Sequence, residues 1–379
     1  MRILIVNGPN LHLLGTREPA IYGTLSLADL ESHWRERGTL LDIAIETFQS
    51  NHEGAIIDVI GAAANRFDAL ILNAGALTHY SYAIRDAVAT LGVPSVEVHI
   101  SNIYERETWR RHSVLSEVCQ LTIVGRGTDG YLHALDHLHA SITSPPLVAS
   151  YGAQDHSTLD LRTPPGPGPH PVALLIHGGF WRAIWKRDLM DPMAIDLIGR
   201  GWATANVEYA RGAGSYAEAV GDIESALRWI QANAHAHGLD QDRVVAIGHS
   251  AGGYLALRLA HAGSGISGAL PLAAVSDLVA MSRKRPDDDP VAVFLGVTQR
   301  DAPRLWDQAR LAGEPTVPLH LLHGLQDDTV DPAQSETYVR RVRADASITM
   351  VDACGHMDLI DPHATAWRSV TTALEGLSS

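Results

Sequence analysis

Short runs of aliphatic and β-branched residues alternate with amphipathic stretches from the start of this 379-residue chain. Through residues 1–140 the runs are "RILIV", "IAIETF", "ALILNAG", "SVEVHIS" and "QLTIVG". Each is of strand length and is followed by a segment such as "SLADLESHWRERGTLL" or "RETWRRHSVLSEV", with apolar residues three and four apart. Consecutive apolar positions suit strands buried on both faces, and the intervening helices return the chain to the same edge. The pattern predicts five βα units and a parallel sheet between two helical layers.

Such a layout is flavodoxin-like, an α/β fold in which ligands bind beyond the carboxyl ends of the strands. The residues expected there are "NGPN", "NAGALTH", "HISN" and "VGRG". A helical "YLHALDHLHAS" then gives way to "ITSPPLVASYG", so a first domain is expected over 1–141, a linker over 142–149 and a second domain over 150–379. The second series reads "VALLIHGG", "ATANVEYA", "RVVAIGHS", "GALPLAAVSD", "VPLHLLHG" and "SITMVDACGH". "STLDLRT" alternates like a strand, which makes "TPPGPGPHP" a loop inside this domain. Residues 278–312, with "RKRPDDDP", break the rhythm and are expected to form an insertion or cap.

Composition narrows the partners. A net charge of −14 disfavours nucleic acid and anionic membranes, both of which need clustered Lys and Arg. No apolar run is long enough to span a bilayer, and the amino terminus lacks the pattern of a secretory leader, so a cytoplasmic location is expected. Cys119 and Cys354 stand far apart with no CxxC spacing, which argues against a disulfide framework or a thiolate metal site. Neither half carries a metal or dinucleotide signature, and no cofactor is expected. Lys186 and Lys284 are the two lysines of the chain, so the first domain has no Schiff-base nucleophile.

The crowded loop "NGPNLHLLGTREPAIYG" follows the first strand and places Arg17 five residues before Tyr22. A neighbouring guanidinium lowers the pKa of a phenol, normally near 10, and favours a phenolate base. Glu97, His99 and Ser101 alternate at the end of the fourth strand and share a face, with Val98 and Ile100 on the other. A carboxylate beside an imidazole favours its protonated form, which suits a general acid. Arg106 and Arg110, four apart on a predicted helix, could grip a carboxylate. Base, acid and anion clamp suit removal of a proton α to a carbonyl with loss of water. A flavin-binding relative of the fold would want a Ser/Thr-rich first loop, and a phosphoreceiver an aspartate after the third strand. This chain offers "NGPNL" and Asn73.

Through "NGPNL", "REPAIYG", "LNAGALTH", "EVHISN" and "RETWRRHS", residues 1–140 resemble the type II 3-dehydroquinate dehydratases. The resemblance implies Tyr22 as the base that takes the C2 proton of 3-dehydroquinate, activated by Arg17. It implies Asn10 as a stabiliser of the enolate through water and His99, oriented by Glu97, as the acid. Asn73, His79, Ile100, Ser101 and Arg110 would hold the substrate, the last three around its carboxylate. It also implies a homo-oligomer of trimers grouped into dodecamers, with Asp86 reaching a neighbour's site. Ala76, where the family often has glycine, is a small departure.

In the second half "GHSAGG", residues 248–253, follows a strand and opens a helix, the context of a nucleophile elbow. "HGGFW" ends an earlier strand, "HGLQDDTVDP" places an acid after a later one, and "CGHMD" places His356 after the last. The order Ser250, Asp327, His356 is that of α/β-hydrolases. Residues 150–379 resemble that superfamily, especially small esterases and arylformamidase-like members. The resemblance implies Ser250 as nucleophile, His356 as general base and Asp327 as orienting acid, with Asp328 its adjoining rival. Backbone N–H groups of Gly179, Phe180 and Ala251 would form the oxyanion hole. Trp181 and Trp185 are read equally as pocket lining or as buried aromatics. The chain is expected to be bifunctional, with a carboxylic ester, such as one of quinate or shikimate, as the second substrate. An arylformamidase-like amide hydrolase and a non-catalytic assembly module stay open as alternatives.

Overall fold

The computed structural model describes residues 1–16, 23–263, 265–342 and 345–377. They form two compact units, Met1–Pro145 and Pro146–Ser379.

In the first unit, strands β1 (Arg2–Asn7), β2 (Ala44–Gln49), β3 (Ala69–Asn73), β4 (Ser95–His99) and β5 (Leu121–Val124) make one sheet of order β2-β1-β3-β4-β5. Every pairing is parallel. The strand period of two sends Ile3, Ile5, Ile71, Val96 and Val98 to one face, against Leu30 and Trp34 of α1 (Leu27–Leu40) and Tyr131, Leu135 and Leu138 of α4 (Gly130–Thr143). Leu4, Val6, Leu70 and Leu72 go to the other, against Ile56 and Ile60 of α2 (Glu53–Gly61) and Ile84 and Val88 of α3 (Tyr82–Leu91). This is the flavodoxin-like sandwich the alternation predicts. Helix α1 begins in a capping box, Ser26 and Asp29 exchanging bonds with each other's backbone N–H.

Two expectations change. "RETWRRHSVLSEV" is not a helix; it holds a single 3₁₀ turn, Thr108–Arg110, and another, Ile103–Glu105, precedes it. Tertiary bonds override its helical period: Val114 N–H donates to the Thr78 carbonyl at 2.9 Å, and the Ser113 hydroxyl turns inward to the Glu97 carboxylate. The stretch expected as linker, 142–149, is mostly regular. Helix α4 runs on through Thr143, and β6 (Leu147–Ser150) pairs antiparallel with β7 (Thr158–Arg162), leaving three residues between helix and strand.

The second unit is an eight-stranded mixed sheet of order β13-β12-β11-β10-β8-β9-β7-β6. Here β8 is His170–Ile176, β9 Ala203–Val207, β10 Leu239–His249, β11 Gly268–Leu272, β12 Leu319–Gly324 and β13 Ala346–Val351, and helices α5 (Asp191–Gly199), α6 (Tyr216–Asn233) and α7 (Ala251–Ala262) join β8 to β9, β9 to β10 and β10 to β11. From β9 to β13 the pairings are parallel; β6 and β7 close one edge antiparallel. This is the α/β-hydrolase architecture. "TPPGPGPHP" spans the loop between β7 and β8 and enters the latter at His170.

Residues 278–312 carry three short helices, α8 (Leu278–Lys284), α9 (Pro290–Leu295) and α10 (Pro303–Ala309). Phe294 of α9 stacks on Trp181 at 4.2 Å between ring centroids, in nearly parallel planes, so the inserted helices pack onto the "HGGFW" turn. Trp181 is 1% exposed and belongs to the core. The "RKRPDDDP" segment is tied down at its end: Asp289 caps α9 through Val291 and Ala292 N–H, and Arg182 pairs with Asp288.

In the first unit the Tyr131 ring, stacked on Trp34 at 4.4 Å, carries the hydroxyl that donates to Asn7 Oδ1 at 2.7 Å and accepts from Asn73 Nδ2 at 2.9 Å. Tyr131→Phe keeps the stacking and strips both buried amides of a partner. It should cost about 1–3 kcal/mol, read as a lower urea midpoint for the first unit's transition.

Candidate active sites

At the carboxyl end of the first sheet, Asn7 and Asn73 lie directly opposite each other on β1 and β3, and β4 beside them ends in Glu97–His99. A cavity of about 170 Å³ opens there. It is lined by Asn10, Asn73, His79, His99, Ile100, Ser101 and Arg110 of the expected set, together with Arg106. The two arginines therefore reach one cavity although no helix spaces them. Glu97 stands behind His99. Asp86 is exposed on α3, where it pairs with Arg85, and does not line this cavity. Arg17 and Tyr22 lie outside the described residues.

Glu97 is completely buried and fully bonded. His99 Nε2 lies 2.8 Å from Oε1; the Ser113 hydroxyl is 2.8 and 2.9 Å from the two oxygens, Thr78 donates to Oε1, and Thr122 reaches Oε2 at 3.3 Å. Burial raises the pKa of this carboxyl, but His99 and the hydroxyls of Thr78 and Ser113 together outweigh burial and hold it below the usual range. An ionised Glu97 then stands behind the imidazole and orients it. Thr78 and Ser113 were not singled out in the sequence. An isolated threonine and serine carry no spacing signal, and only the fold brings them to Glu97.

His79 Nδ1 lies 2.8 Å from the His112 carbonyl, which can only accept, so that nitrogen carries the proton. Burial lowers the pKa of His79, so the neutral ring, protonated at Nδ1, offers the cavity Nε2 as an acceptor. The Asn73 carboxamide is pinned at both ends, Nδ2 by Tyr131 and Oδ1 by Gly75 N–H at 3.1 Å. Asn10 is held in the left-handed region at φ 68°, its N–H bonded to Asn51 Oδ1 at 2.9 Å.

In the second unit Ser250 sits between the end of β10 and the start of α7 (Ala251–Ala262), at φ 56° and ψ −115°. A non-glycine residue in that region is strained, and the surroundings enforce it. Ser250 N–H donates to the Leu272 carbonyl at 2.8 Å, and its own carbonyl accepts from Val275 at 3.1 Å. A Cβ on Gly248 would lie 2.2 Å from the Gly252 carbonyl oxygen, and one on Gly252 would lie 2.1 Å from that of Ile176. The two glycines of "GHSAG" are therefore required by close backbone approach.

His356 Nδ1 lies 2.7 Å from Asp327 Oδ2, which selects Asp327 over Asp328 as the acid in contact with the imidazole. Asp328 is exposed and accepts from Thr329. The other oxygen of Asp327 accepts Thr329 and Val330 N–H, both at 2.9 Å, and His323 Nε2 stands 3.2 Å from Oδ2. Burial raises the pKa of Asp327, yet the bonds from His323 and His356 override it and hold the carboxyl far below the usual range. His249 Nε2, 2.8 Å from the His356 carbonyl, anchors the histidine's backbone. The "HGGFW" turn passes beside the elbow: a Cβ on Gly178 would fall 3.0 Å from the Ser250 Cβ. Gly179, Phe180 and Trp181 all have positive φ, at 104°, 54° and 55°. No helix of the described residues is long and apolar enough to cross a membrane.

Both orienting carboxyls have depressed pKa values in the folded chain, so each binds fewer protons than it does unfolded. Their stabilisation is fully present above the unfolded values of about 4 and is lost as pH falls through the lower folded values. Asp327→Asn should be less stable than the unaltered chain at pH 7. Its second unit should also lose less stability between about pH 5 and pH 2, the difference amounting to about 2 kcal/mol in urea unfolding.

Comparison with known proteins agrees with this division. The profile of the family Dehydroquinase class II matches residues 1–139, and that of BD-FAE matches residues 159–342. Catabolic 3-dehydroquinase 1 of Aspergillus terreus is 52% identical over 136 residues, 36% of this chain and 90% of that protein. The 3-dehydroquinate dehydratase of Bacillus cereus strain G9842 is 52% identical over 134 residues, 35% of this chain and 92% of that protein. The second unit resembles a truncated carbohydrate esterase from gut microbiota at 17% identity and a TM-score of 0.53, over 61% of this chain and 95% of that one. A propionate-bound esterase, Est2, of Thermogutta terrifontis aligns at 19% identity and a TM-score of 0.51, over 61% of this chain and 92% of that one. At such identities the last two show the fold alone. Through its first 139 residues the chain belongs to the class II dehydroquinases, and to that domain it joins an esterase-like α/β-hydrolase domain.

Proposed function

We propose that the chain is bifunctional, dehydrating 3-dehydroquinate to 3-dehydroshikimate in its first domain and hydrolysing a carboxylic ester in its second. The observation that carries the first half is the His99 imidazole, backed by buried Glu97 and opening onto a cavity that also holds Arg110. In this reading the Tyr22 phenolate, activated by Arg17, takes the C2 proton and leaves an enolate on the ring. Asn10 steadies the enolate oxygen through water. Protonated His99 then gives its proton to the departing hydroxyl, the C–O bond breaks, and water leaves as the enone forms. Arg110, Ile100 and Ser101 hold the substrate carboxylate, and Asn73 and His79 the ring hydroxyls. The relatives named as 3-dehydroquinase and 3-dehydroquinate dehydratase support this substrate. A trimer-based homo-oligomer, in which Asp86 meets a neighbouring copy, belongs to the same proposal.

The second half rests on Ser250 at a strained elbow and on the His356–Asp327 pair. Ser250 Oγ attacks the ester carbonyl while His356 takes its proton. N–H groups of Gly179, Phe180 and Ala251 receive the oxyanion, and the alcohol departs with the proton from His356. Water then releases the acid from Ser250 by the same route. An ester of quinate or shikimate is the substrate we favour, because its hydrolysis frees a carboxylated ring related to that used by the first domain.

Formation of the enone, followed by its ultraviolet absorbance with 3-dehydroquinate as substrate, should fall at least about 100-fold in Tyr22→Phe and in His99→Ala. Ser250→Ala should leave it unchanged. An unaltered rate in both first-domain variants overturns the assignment. A panel of quinate, shikimate and simple aryl esters, run beside N-formylkynurenine, should show Ser250-dependent ester turnover with the ring-acid esters preferred. Preference for the formamide favours an amide hydrolase, and no turnover of any substrate favours an assembly module.

A further inference from the structure

The first residue of "HGGFW", His177, takes no part in the triad, yet it is wholly buried with both ring nitrogens engaged. His177 is 0% exposed, and each of its ring nitrogens faces an oxygen: Nδ1 is 2.8 Å from the carbonyl of Gly178, and Nε2 is 3.0 Å from Glu208 Oε1. Glu208, 5% exposed, stands just after β9, the strand beside β8. Its carboxylate also pairs with Arg211 Nη2 at 3.1 Å and accepts Arg187 N–H at 3.2 Å. Burial raises its pKa, but His177 and Arg211 reverse that and keep it ionised. An ionised carboxylate and a peptide carbonyl can only accept, so both His177 nitrogens donate. The ring is further held by stacking on Tyr209 at 4.4 Å, and the Tyr209 hydroxyl donates to the His177 carbonyl at 2.7 Å.

This arrangement has a direct consequence for the oxyanion turn. In a planar trans peptide the C=O and the following N–H point in opposite directions. With the Gly178 carbonyl drawn to His177 Nδ1, the N–H of Gly179 must point away from that ring. The next peptide is pinned in the same manner, since the Gly179 carbonyl accepts Arg182 N–H at 3.0 Å and thereby aims the N–H of Phe180. The turn has positive φ at Gly179, Phe180 and Trp181, a conformation that relaxes unless something holds it.

We propose that Glu208 is a positioning residue for the hydrolase reaction: by keeping His177 a double donor, it locks the Gly178–Gly179 peptide so that its N–H faces the oxyanion formed at Ser250. The inference rests on the esterase reading of the second domain. Glu208 touches no substrate, and it acts on the transition state through the orientation of a backbone donor.

The test uses the full chain and p-nitrophenyl acetate, with Ser250→Ala as the blank. Glu208→Gln should lower kcat about 10- to 100-fold, as expected for a misaimed oxyanion donor, with KM within about twofold. Asp160→Asn serves as the control for loosening: it breaks the neighbouring half-buried pair with Arg187, whose nitrogens lie 2.8 and 2.9 Å from the carboxylate, and alters neither the His177 nor the Glu208 side chain. It should lower the unfolding temperature while kcat stays within about twofold. Nitrogen NMR of the unaltered chain, with His177 assigned through His177→Gln, should show both ring nitrogens bearing a proton at pH 7. A loss confined to KM overturns the proposal, as does a kcat loss equal to that of Asp160→Asn, or a His177 ring with a single proton. If Glu208→Gln does not fold, the ring signal of the unaltered chain decides. Absence of Ser250-dependent turnover in the unaltered chain instead sinks the esterase reading, and the two failures are distinct because the ring is observed without substrate.

Discussion

A carboxylate removed from water must be surrounded by donors, and that requirement orients a histidine at each of three places in this chain. Glu97 behind His99, Asp327 behind His356 and Glu208 behind His177 are all buried, and all accept bonds from further partners besides the imidazole. The extra donors matter as much as the pairing. With too few donors around it, a buried carboxyl takes up a proton and loses the charge that holds an imidazole N–H. The hydroxyls of Thr78 and Ser113, the amides of Thr329 and Val330, and the guanidinium of Arg211 keep these three ionised. Each imidazole then inherits a defined orientation.

The sheets supply the other half of the geometry. In both units the functional groups stand where parallel strands end, so residues far apart in the chain are brought within a few strand spacings of each other. Asn7, Asn73 and His99 end three adjoining strands; Ser250 and His177 follow adjoining β10 and β8, and Asp327 and His356 follow β12 and β13. Most non-glycine residues with positive φ stand at the same edge, Asn10 in one unit and Phe180, Trp181, Ser250, Ala273 and Ala353 in the other, while Asp42 and Asn65 occupy turns that lead into β2 and β3. Such strain persists because the sheet below is rigid. The inserted helices add to this by stacking Phe294 on Trp181, which fastens the "HGGFW" turn.

The short strands and their order of chemistry were legible because each rests on a local pattern. Apolar runs of strand length, a turn rich in glycine and a polar residue at each strand end announce a parallel α/β sheet without tertiary information. The "GHSAGG" elbow was legible for a related reason: its glycines answer a close backbone contact that recurs wherever a nucleophile stands on such a turn. By contrast, "RETWRRHSVLSEV" carries a helical period and forms no helix, since Ser113 and Val114 find better partners across the fold than along the chain. Likewise β6 hid inside a stretch that reads as linker, because an edge strand of four residues has no periodicity to detect.

The amino-acid order alone thus determined two α/β units, their family likeness and most of the residues at each strand end. It could not decide between Asp327 and Asp328, because adjacent carboxylates differ only in where the backbone aims them, and the turn after β12 aims the first at His356 and the second at solvent. Nor could it disclose Thr78, Ser113 or Glu208, whose roles come from burial and from partners 16 to 31 residues away. Those assignments belong to tertiary structure for one physical reason: hydrogen bonds between side chains are made in space, and only the strand-end ligands leave a spacing in the chain.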